Sequence, residues 1–251
     1  MSQARGQIAL RLRAFTLARV GLALTGVSQQ TRDVLEFQRA HALARDAVHA
    51  ALNAASLSAA MEALGAGREV LRLHSAAADR AGYLQRPDRG RRLDDAGREL
   101  LGARSPVRHD LVLAVCDGLS ALAVERNAVA LLEALLPRIA GWDLAPLCIV
   151  EQGRVAIGDE IGELLAADLA LVLIGERPGL SSPDSLGAYI TWMPRRGRTD
   201  AERVCISNIR AEGLSATEAA GQIHAALIAA RSRQITGVAA GARTLTEGSR
   251  P

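Results

Sequence analysis

The sequence contains no lysine, and all 30 of its basic residues are arginine. Aromatic residues make up only 2% of the 251 positions, which leaves little for stacking on nucleic-acid bases. The formal charge is only +3, and most of the arginines alternate with acidic residues, so no nucleic-acid-binding surface is predicted. No apolar run approaches the roughly eighteen residues of a transmembrane helix, so we expect no membrane span.

Cysteines are also few, and Cys116, Cys148 and Cys205 lie far apart. An odd number without close spacing predicts neither a disulfide framework nor a zinc site. We expect Cys116 and Cys148, which end apolar runs, to be buried hydrophobic residues in a protein of the reducing cytoplasm. The signatures GxSxG, GxxxxGK[ST], HExxH and GxGxxG are absent, so the sequence offers no familiar catalytic motif.

Short apolar runs alternate with helical segments in the second half of the chain. We predict strands at 110–116, 145–150, 168–174, 188–193 and 204–209, and helices at 121–136, 157–165 and from the capping box Ser215–Glu218 to Arg233. This order predicts an α/β fold with a Rossmann-like, mainly parallel sheet and helices on both faces.

The first half of the chain is interpreted as helical. Thr31 is a candidate N-cap with Asp33 in the first turn, and residues 56–82 continue as Ala- and Leu-rich helical sequence. The predicted organisation is an N-terminal arm (1–30), a helical region (31–105), a Rossmann-like domain (106–238) and a flexible tail (239–251).

The turns that follow the predicted strands supply the candidate site. Right-handed crossovers would bring Asp117, residues 152–155, Glu176–Arg177 and residues 205–208 to one edge of the sheet. The long loop 175–187 is too irregular for a helix or strand, and a loop of this length is usually functional or disordered. In it, Glu176 is placed to accept hydrogen bonds from amide donors on a ligand.

Other charged residues have simpler interpretations. Asp159, Glu160 and Glu163 fall in the first turns of a predicted helix, where we expect solvated acids that offset the helix dipole. Asp117 is expected to cap the helix after it rather than to act in catalysis. The Arg-rich segment 86–98 is either a solvated loop or an interface strip for an acidic partner. Two further hypotheses remain: a free-standing enzyme that uses Asp117 and Glu176 as acid and base on a nucleotide-like ligand, and a noncatalytic α/β adaptor that docks through this segment.

Several strings together indicate a family. The two most specific are Leu173-Ile-Gly-Glu-Arg-Pro-Gly-Leu180 and Cys205-Ile-Ser-Asn-Ile209, and three others support them: Phe37–His49, Asp117–Ala123 and Val150–Val155. With these strings the sequence resembles the small subunit of ethanolamine ammonia-lyase from about residue 14 to residue 238.

The resemblance implies a hetero-oligomer in which a TIM-barrel large subunit holds the substrate and the small subunit closes over adenosylcobalamin. Such a complex converts ethanolamine to acetaldehyde and ammonia by radical chemistry, in the cytoplasm and in some relatives within a bacterial microcompartment. The small subunit is not expected to be active alone. Carried over by resemblance, Val155 would contact the corrin edge, Glu176 a corrin amide and Cys205 the ring, with no catalytic or metal-ligating residue.

Overall fold

The computed structural model describes residues 11–12, 14–16, 18–22, 24–65, 67–104 and 107–240. The first ten residues of the predicted arm and residues 241–251 of the predicted tail lie outside this part of the chain. Among the described residues, no helix has both the length and the apolar character needed to cross a membrane.

The strands are β1 (Leu24–Thr25), β2 (Ser28–Gln29), β3 (Val70–His74), β4 (His109–Cys116), β5 (Leu147–Glu151), β6 (Ala167–Gly175), β7 (Leu186–Trp192) and β8 (Arg203–Ile209). The helices are α1 (Thr31–His49), α2 (Ala54–Leu64), α3 (Arg80–Gln85), α4 (Asp95–Gly102), α5 (Ala121–Leu135), α6 (Ile157–Leu164) and α7 (Ala216–Arg233). Short 3-10 helices occupy Arg89–Arg91, Leu136–Ile139 and Asp200–Glu202.

Six strands form one sheet in the order β3-β5-β4-β6-β7-β8. The first four pair in parallel, because helical connections return the chain to the same edge. The last two run antiparallel to their neighbours, since β6, β7 and β8 are joined by loops. The carboxyl ends of β4, β5, β6 and β8 therefore lie at a common edge.

Alternating side chains of the central strands build a core on each face of the sheet. In β4, Leu111, Leu113 and Val115 pack with buried residues of α2, α5 and α7, and the intervening side chains pack on the opposite face with α6 and Leu101 of α4. Burying each Leu, Ile or Val side chain contributes about 1.5–3 kcal/mol, so these two layers hold the sheet in place. The predicted α/β class is confirmed.

The capping box at the start of α7 is also confirmed, with Ser215 and Glu218 each bonded to the other's backbone N–H. Thr31 as an N-cap was wrong, because it is the first residue of α1 and Gln30 occupies the cap position without a side-chain hydrogen bond. Residues 70–74 were wrongly assigned to helix, because they form β3 and pair in parallel with β5. The domain division near residue 105 stays a prediction, although β3 lies on its N-terminal side and belongs to the main sheet.

Two acids at the start of α6 are buried, which corrects the expectation that they are solvated. Asp159 accepts two hydrogen bonds from the Arg203 guanidinium, at 2.6 and 2.7 Å. Glu160 accepts one from the backbone N–H of Leu93 at 2.8 Å. Burial raises the pKa of Asp159, and the Arg203 partner opposes that shift. These acids face inward because their hydrogen-bond partners lie inside the fold. The bonds connect α6 to the start of β8 and to the segment before α4.

Candidate ligand-binding site

An open cavity of about 430 Å³ lies at the carboxyl edge of the sheet. It is lined by Tyr83, Leu119, Arg154, Val155, Ile174, Gly175, Glu176, Arg177, Tyr189 and Ser207. These residues come from the turns after β4, β5 and β6, from strands β6, β7 and β8 and from the neighbouring α3. Three of the four predicted segments, 152–155, 176–177 and 205–208, contribute residues to this cavity, whereas Asp117 does not line it.

The ends of β4 and β6 meet backbone to backbone beneath this cavity. The N–H of Leu119 donates to the carbonyl of Gly175 at 2.9 Å. A Cβ atom on Gly175 would lie 2.0 Å from the carbonyl oxygen of Ser120 and 2.5 Å from that of Asp117, closer than any side chain can approach. Glycine is required here, and its close contact fixes the point at which Glu176 leaves the sheet.

Glu176 is held across the antiparallel strands by three donors. Ser185 Oγ donates to Oε2, Ser207 Oγ donates to Oε1 at 2.5 Å, and the N–H of Asn208 approaches Oε2 at 3.3 Å. A Cβ on Gly187 would lie 2.8 Å from Oε1, so this glycine leaves room for the carboxylate. Because an ionised carboxylate has about four acceptor positions, one remains for a donor on a ligand.

Asp117 lies buried behind the cavity and does not line it. Its Oδ1 accepts a hydrogen bond from Gly153 N–H at 3.1 Å, and its Oδ2 lies 3.6 Å from Nη1 of Arg80. Burial raises the pKa of Asp117 to about 6, against the lowering effect of backbone donors and Arg80. The expected N-cap role was wrong, because Ser120 caps α5 by accepting from Ala123 N–H.

The turn that carries Val155 is anchored by α3 and by the 3-10 helix at 89–91. Tyr83 Oη donates to the carbonyl of Gly153 at 3.0 Å, and Arg154 N–H donates to the carbonyl of Gly90 at 2.7 Å. The Arg154 guanidinium stacks 4.2 Å from the centre of the Tyr83 ring. Burial raises the pKa of Tyr83, so its hydroxyl stays a donor at neutral pH.

Arg80 joins helix α1 to two of the turns. Its Nε donates to the carbonyl of Val48 at 2.6 Å, and its Nη1 donates to the carbonyl of Gly118 at 2.8 Å and to Gln152 Oε1 at 3.2 Å. Sequence reasoning missed Arg80 and Tyr83. Local patterns gave no signal for them, because their partners lie at least 32 residues away along the chain.

Cys205 lies within β8 and does not line the cavity. It is exposed and pairs across the strands with Tyr189, whose ring does line the cavity. Desolvation of the sulfur raises the pKa of the thiol; the Tyr189 hydroxyl opposes this shift and the Glu176 carboxylate adds to it. The structure thus brings Val155 and Glu176 to one cavity and places a neutral thiol on the adjoining strand.

The fold and the cavity define an open, mostly parallel α/β protein with a cavity at the carboxyl ends of its strands, the edge at which sheets of this kind usually bind their ligands. Residues 7–240 match the family described as ethanolamine ammonia-lyase light chain (EutC). This chain belongs to that family.

Curated relatives share the same description, ethanolamine ammonia-lyase small subunit. The protein of Xanthomonas campestris pv. campestris strain B100 is 55% identical over 233 residues, covering 91% of this chain and 85% of the relative. That of Pseudomonas syringae pv. tomato DC3000 is 54% identical over 234 residues, covering 91% and 81%. That of Ralstonia nicotianae GMI1000 is 53% identical over 232 residues, covering 90% and 85%.

Proposed function

We propose that this chain is the small subunit of an adenosylcobalamin-dependent ethanolamine ammonia-lyase. In this proposal it forms a hetero-oligomer with a TIM-barrel large subunit and closes over the cofactor with the carboxyl edge of its sheet. Family membership over residues 7–240 supports the assignment. The observation that carries the placement of the site is the meeting of Val155 and Glu176 in one open cavity.

The residues at this edge fit one side of a cobalamin. Val155 supplies an aliphatic contact for the edge of the corrin ring, and Glu176 has an acceptor position for a corrin amide. The neutral thiol of Cys205 would be a small, soft contact beyond Tyr189, and it is not proposed as a cobalt ligand. The cavity is open, which leaves room for a second polypeptide to complete the enclosure.

In the complex, bound adenosylcobalamin supplies radical chemistry from its cobalt–carbon bond, and ethanolamine is converted to acetaldehyde and ammonia. This chain binds and orients the ring through Val155 and Glu176 and helps to exclude water from it. The close contact at Gly175 and the anchored turn at Val155 keep these two side chains at fixed positions. Because none of these residues is given a chemical step, the chain alone should be inactive.

Co-expression with a large subunit of the same family tests the proposal. After incubation with adenosylcobalamin and gel filtration, the visible corrin spectrum should remain with the two-chain complex and not with either chain alone. A Val155→Asp variant should still form the complex but retain less corrin, because it buries a charge against the ring. Deamination of ethanolamine by the isolated chain, or equal retention of corrin by the large subunit alone, would contradict the assignment.

The adaptor hypothesis also has a specific observation behind it. Arg89, Arg91 and Arg92 are exposed. Within the described part of the chain their side chains make no hydrogen bond or ion pair, and they could dock an acidic partner. Replacing all three by Gln should leave complex formation intact if the cofactor edge dominates the interface, and abolish it if this segment does. The free-standing enzyme is disfavoured, because Asp117 is buried and committed to Gly153 and Arg80.

A further inference from the structure

We propose that Arg154, assisted by Arg177, forms an anion subsite in the cavity that takes the single negative charge of a phosphodiester. This inference rests on the proposed function, and within it the phosphodiester is the one in the nucleotide tail of adenosylcobalamin.

The charges that line the cavity do not cancel. Two arginines, Arg154 and Arg177, and one glutamate, Glu176, give the lining a net charge of +1. Among the residues that the structure describes, no carboxylate oxygen lies within 4.0 Å of either guanidinium. Glu176 is engaged by Ser185, Ser207 and the backbone instead. A monoanion is the ligand charge that this lining would neutralise.

Arg154 is also held in position before any ligand arrives. Its Cζ lies over the Tyr83 ring, 4.2 Å from the centre, and its Nη2 donates to the Tyr83 carbonyl at 3.3 Å. Its Nε is buried and has no hydrogen-bond partner, although a buried donor of this kind normally has one. Because Nε is buried, an anion in the cavity would meet the terminal nitrogens, of whose four N–H groups one is used by the Tyr83 carbonyl. A cation fixed in this way loses little conformational entropy on binding.

Arg177 contributes differently. It follows Glu176 directly at the end of β6, lines the same cavity and is exposed. Its side chain makes no hydrogen bond or ion pair within the described ranges, so it is available to approach a bound anion. A guanidinium presents paired N–H donors to phosphate oxygens, which makes arginine well suited to this contact. Arg154 is therefore the fixed contact and Arg177 the adjustable one.

The test compares two corrinoids on the complex with the large subunit. Adenosylcobalamin contains the phosphodiester, and adenosylcobinamide lacks it together with the ribose and the base, so the salt dependence described below identifies the part that is due to charge. Arg154→Gln should weaken binding of adenosylcobalamin by roughly tenfold, the loss expected for one charge-assisted hydrogen bond, and binding of adenosylcobinamide by less than about twofold. Arg177→Gln should show the same selectivity with a smaller loss. Binding is read from the corrin spectrum at equilibrium, independently of turnover.

Arg138→Gln is the matched control. Arg138 is exposed, lies in the 3-10 helix that follows the far end of α5, and makes no side-chain hydrogen bond or ion pair in the part of the chain described. The substitution removes the same charge but should leave the affinity for both corrinoids unchanged. Arg154→Lys, which keeps the charge, should recover part of the affinity for adenosylcobalamin.

The outcomes separate this inference from the proposed function. If Arg154→Gln weakens both corrinoids equally, the residue only supports the turn and the anion subsite is wrong; if it weakens neither, the subsite is also wrong. A wild-type complex that binds neither corrinoid would overturn the proposed function and this inference with it.

As a second readout, the affinity of wild type for adenosylcobalamin should fall more steeply with salt than that of Arg154→Gln. Equal salt dependence would count against the subsite.

Discussion

The two sides of the candidate site are built differently. On the parallel side, the turns after β4 and β5 are tied together by buried groups, with Asp117 almost completely inaccessible and Arg80 bonded to three separate segments. On the antiparallel side, Glu176 reaches out to hydroxyl and backbone donors from exposed residues of β8. The parallel side fixes geometry, whereas the antiparallel side presents groups to whatever covers it.

This contrast follows from the strand order. β4 and β5 lie inside the sheet, so the turns after them are covered by α3, by the segment that follows it and by the end of α1. β8 is an edge strand, and its side chains alternate between partly buried and exposed along much of its length. A partner that completes the site should therefore make most of its contacts on the β8 side. We expect substitutions on the parallel side to lower the stability of the fold, and substitutions on the antiparallel side to weaken binding.

The largest effect is expected where the two sides meet. Gly175→Ala would place a Cβ against two backbone carbonyls of the turn after β4. Neither carbonyl can rotate away, so we expect a loss of more than about 4 kcal/mol in the free energy of unfolding. Chemical denaturation of the soluble fraction measures this loss.

Gly221→Ala is the control, because nothing lies within 4 Å of a Cβ at that position in α7. It should stabilise the chain by about 0.5–1 kcal/mol through helix propensity. A Gly175→Ala chain that unfolds at the same denaturant concentration as wild type would show that the close backbone contact is wrong.

The next largest effect should come from the parallel side. Arg80→Met removes hydrogen bonds to Val48, Gly118 and Gln152 and leaves the buried Asp117 without its cationic neighbour. Breaking a buried pair in this way typically costs about 3–5 kcal/mol, and we expect the lower end because Nη1 lies 3.6 Å from the carboxylate. Hydrogen exchange should also show earlier opening at the end of α1.

Arg72→Met serves as its control on the same sheet. Arg72 makes an exposed ion pair with Glu151 at 3.5 Å, and such pairs contribute less than about 1 kcal/mol. Equal destabilisation by the two substitutions would remove the distinction between buried and exposed arginines on which the comparison depends.

A pH-dependent effect should follow from Asp117. Its pKa rises from 3.8 to about 6 in the folded chain, so the folded state holds a proton that the unfolded state has released between these values. Stability from this group is present below pH 4 and is lost as the pH rises through about 6, by up to about 3 kcal/mol. Asp117→Asn removes the titration and can still accept from Gly153.

The difference in unfolding free energy between wild type and Asp117→Asn should therefore change in favour of the variant as the pH is raised from 4 to 7. Denaturation curves at several pH values measure this difference. Subtracting the unfolding free energy of one protein from that of the other cancels the contributions of the other titrating groups. A difference that stays constant across this range would mean that burial does not control the Asp117 carboxyl.

The sequence predicted the central strands of the sheet better than it predicted the contacts on the parallel side of the site. Apolar runs located β4, β5 and β6, and from their order came the convergence of Val155 and Glu176. Strand β3 was missed because its five residues stand in Ala- and Leu-rich surroundings and include an exposed arginine, Arg72. Only pairing with β5, more than seventy residues later, makes this segment a strand.

The sequence also failed to predict which residue caps α5 and which acidic residues are buried. Asp117-Gly-Leu-Ser120 contains two possible N-caps, and the turn at Gly118, with φ of +58°, gives that role to Ser120. Asp159 and Glu160 could be assigned to a helix start from sequence, but not to the inside of the protein. Their partners, Arg203 and the Leu93 N–H, lie 44 and 67 residues away and are brought near only by the completed fold.

The smallest effect on stability should come from the antiparallel side. Glu176→Gln keeps one acceptor for Ser207 or Ser185, so the free energy of unfolding should change by less than about 1 kcal/mol. The complex with the large subunit should nevertheless retain corrin about tenfold less tightly, because a charge-assisted acceptor for an amide is replaced by a neutral one.

Ser215→Ala is a useful contrast, because it removes an N-cap from α7 far from the cavity. It should cost about 1 kcal/mol of stability without changing corrin retention. The two variants together thus separate stability from binding, with each substitution affecting one property and sparing the other. The contrary result is that Glu176→Gln destabilises the chain as much as Arg80→Met does. The hydrogen bonds of Glu176 on the antiparallel side would then serve to stabilise the fold, and the proposal that this side presents groups to a partner would be wrong.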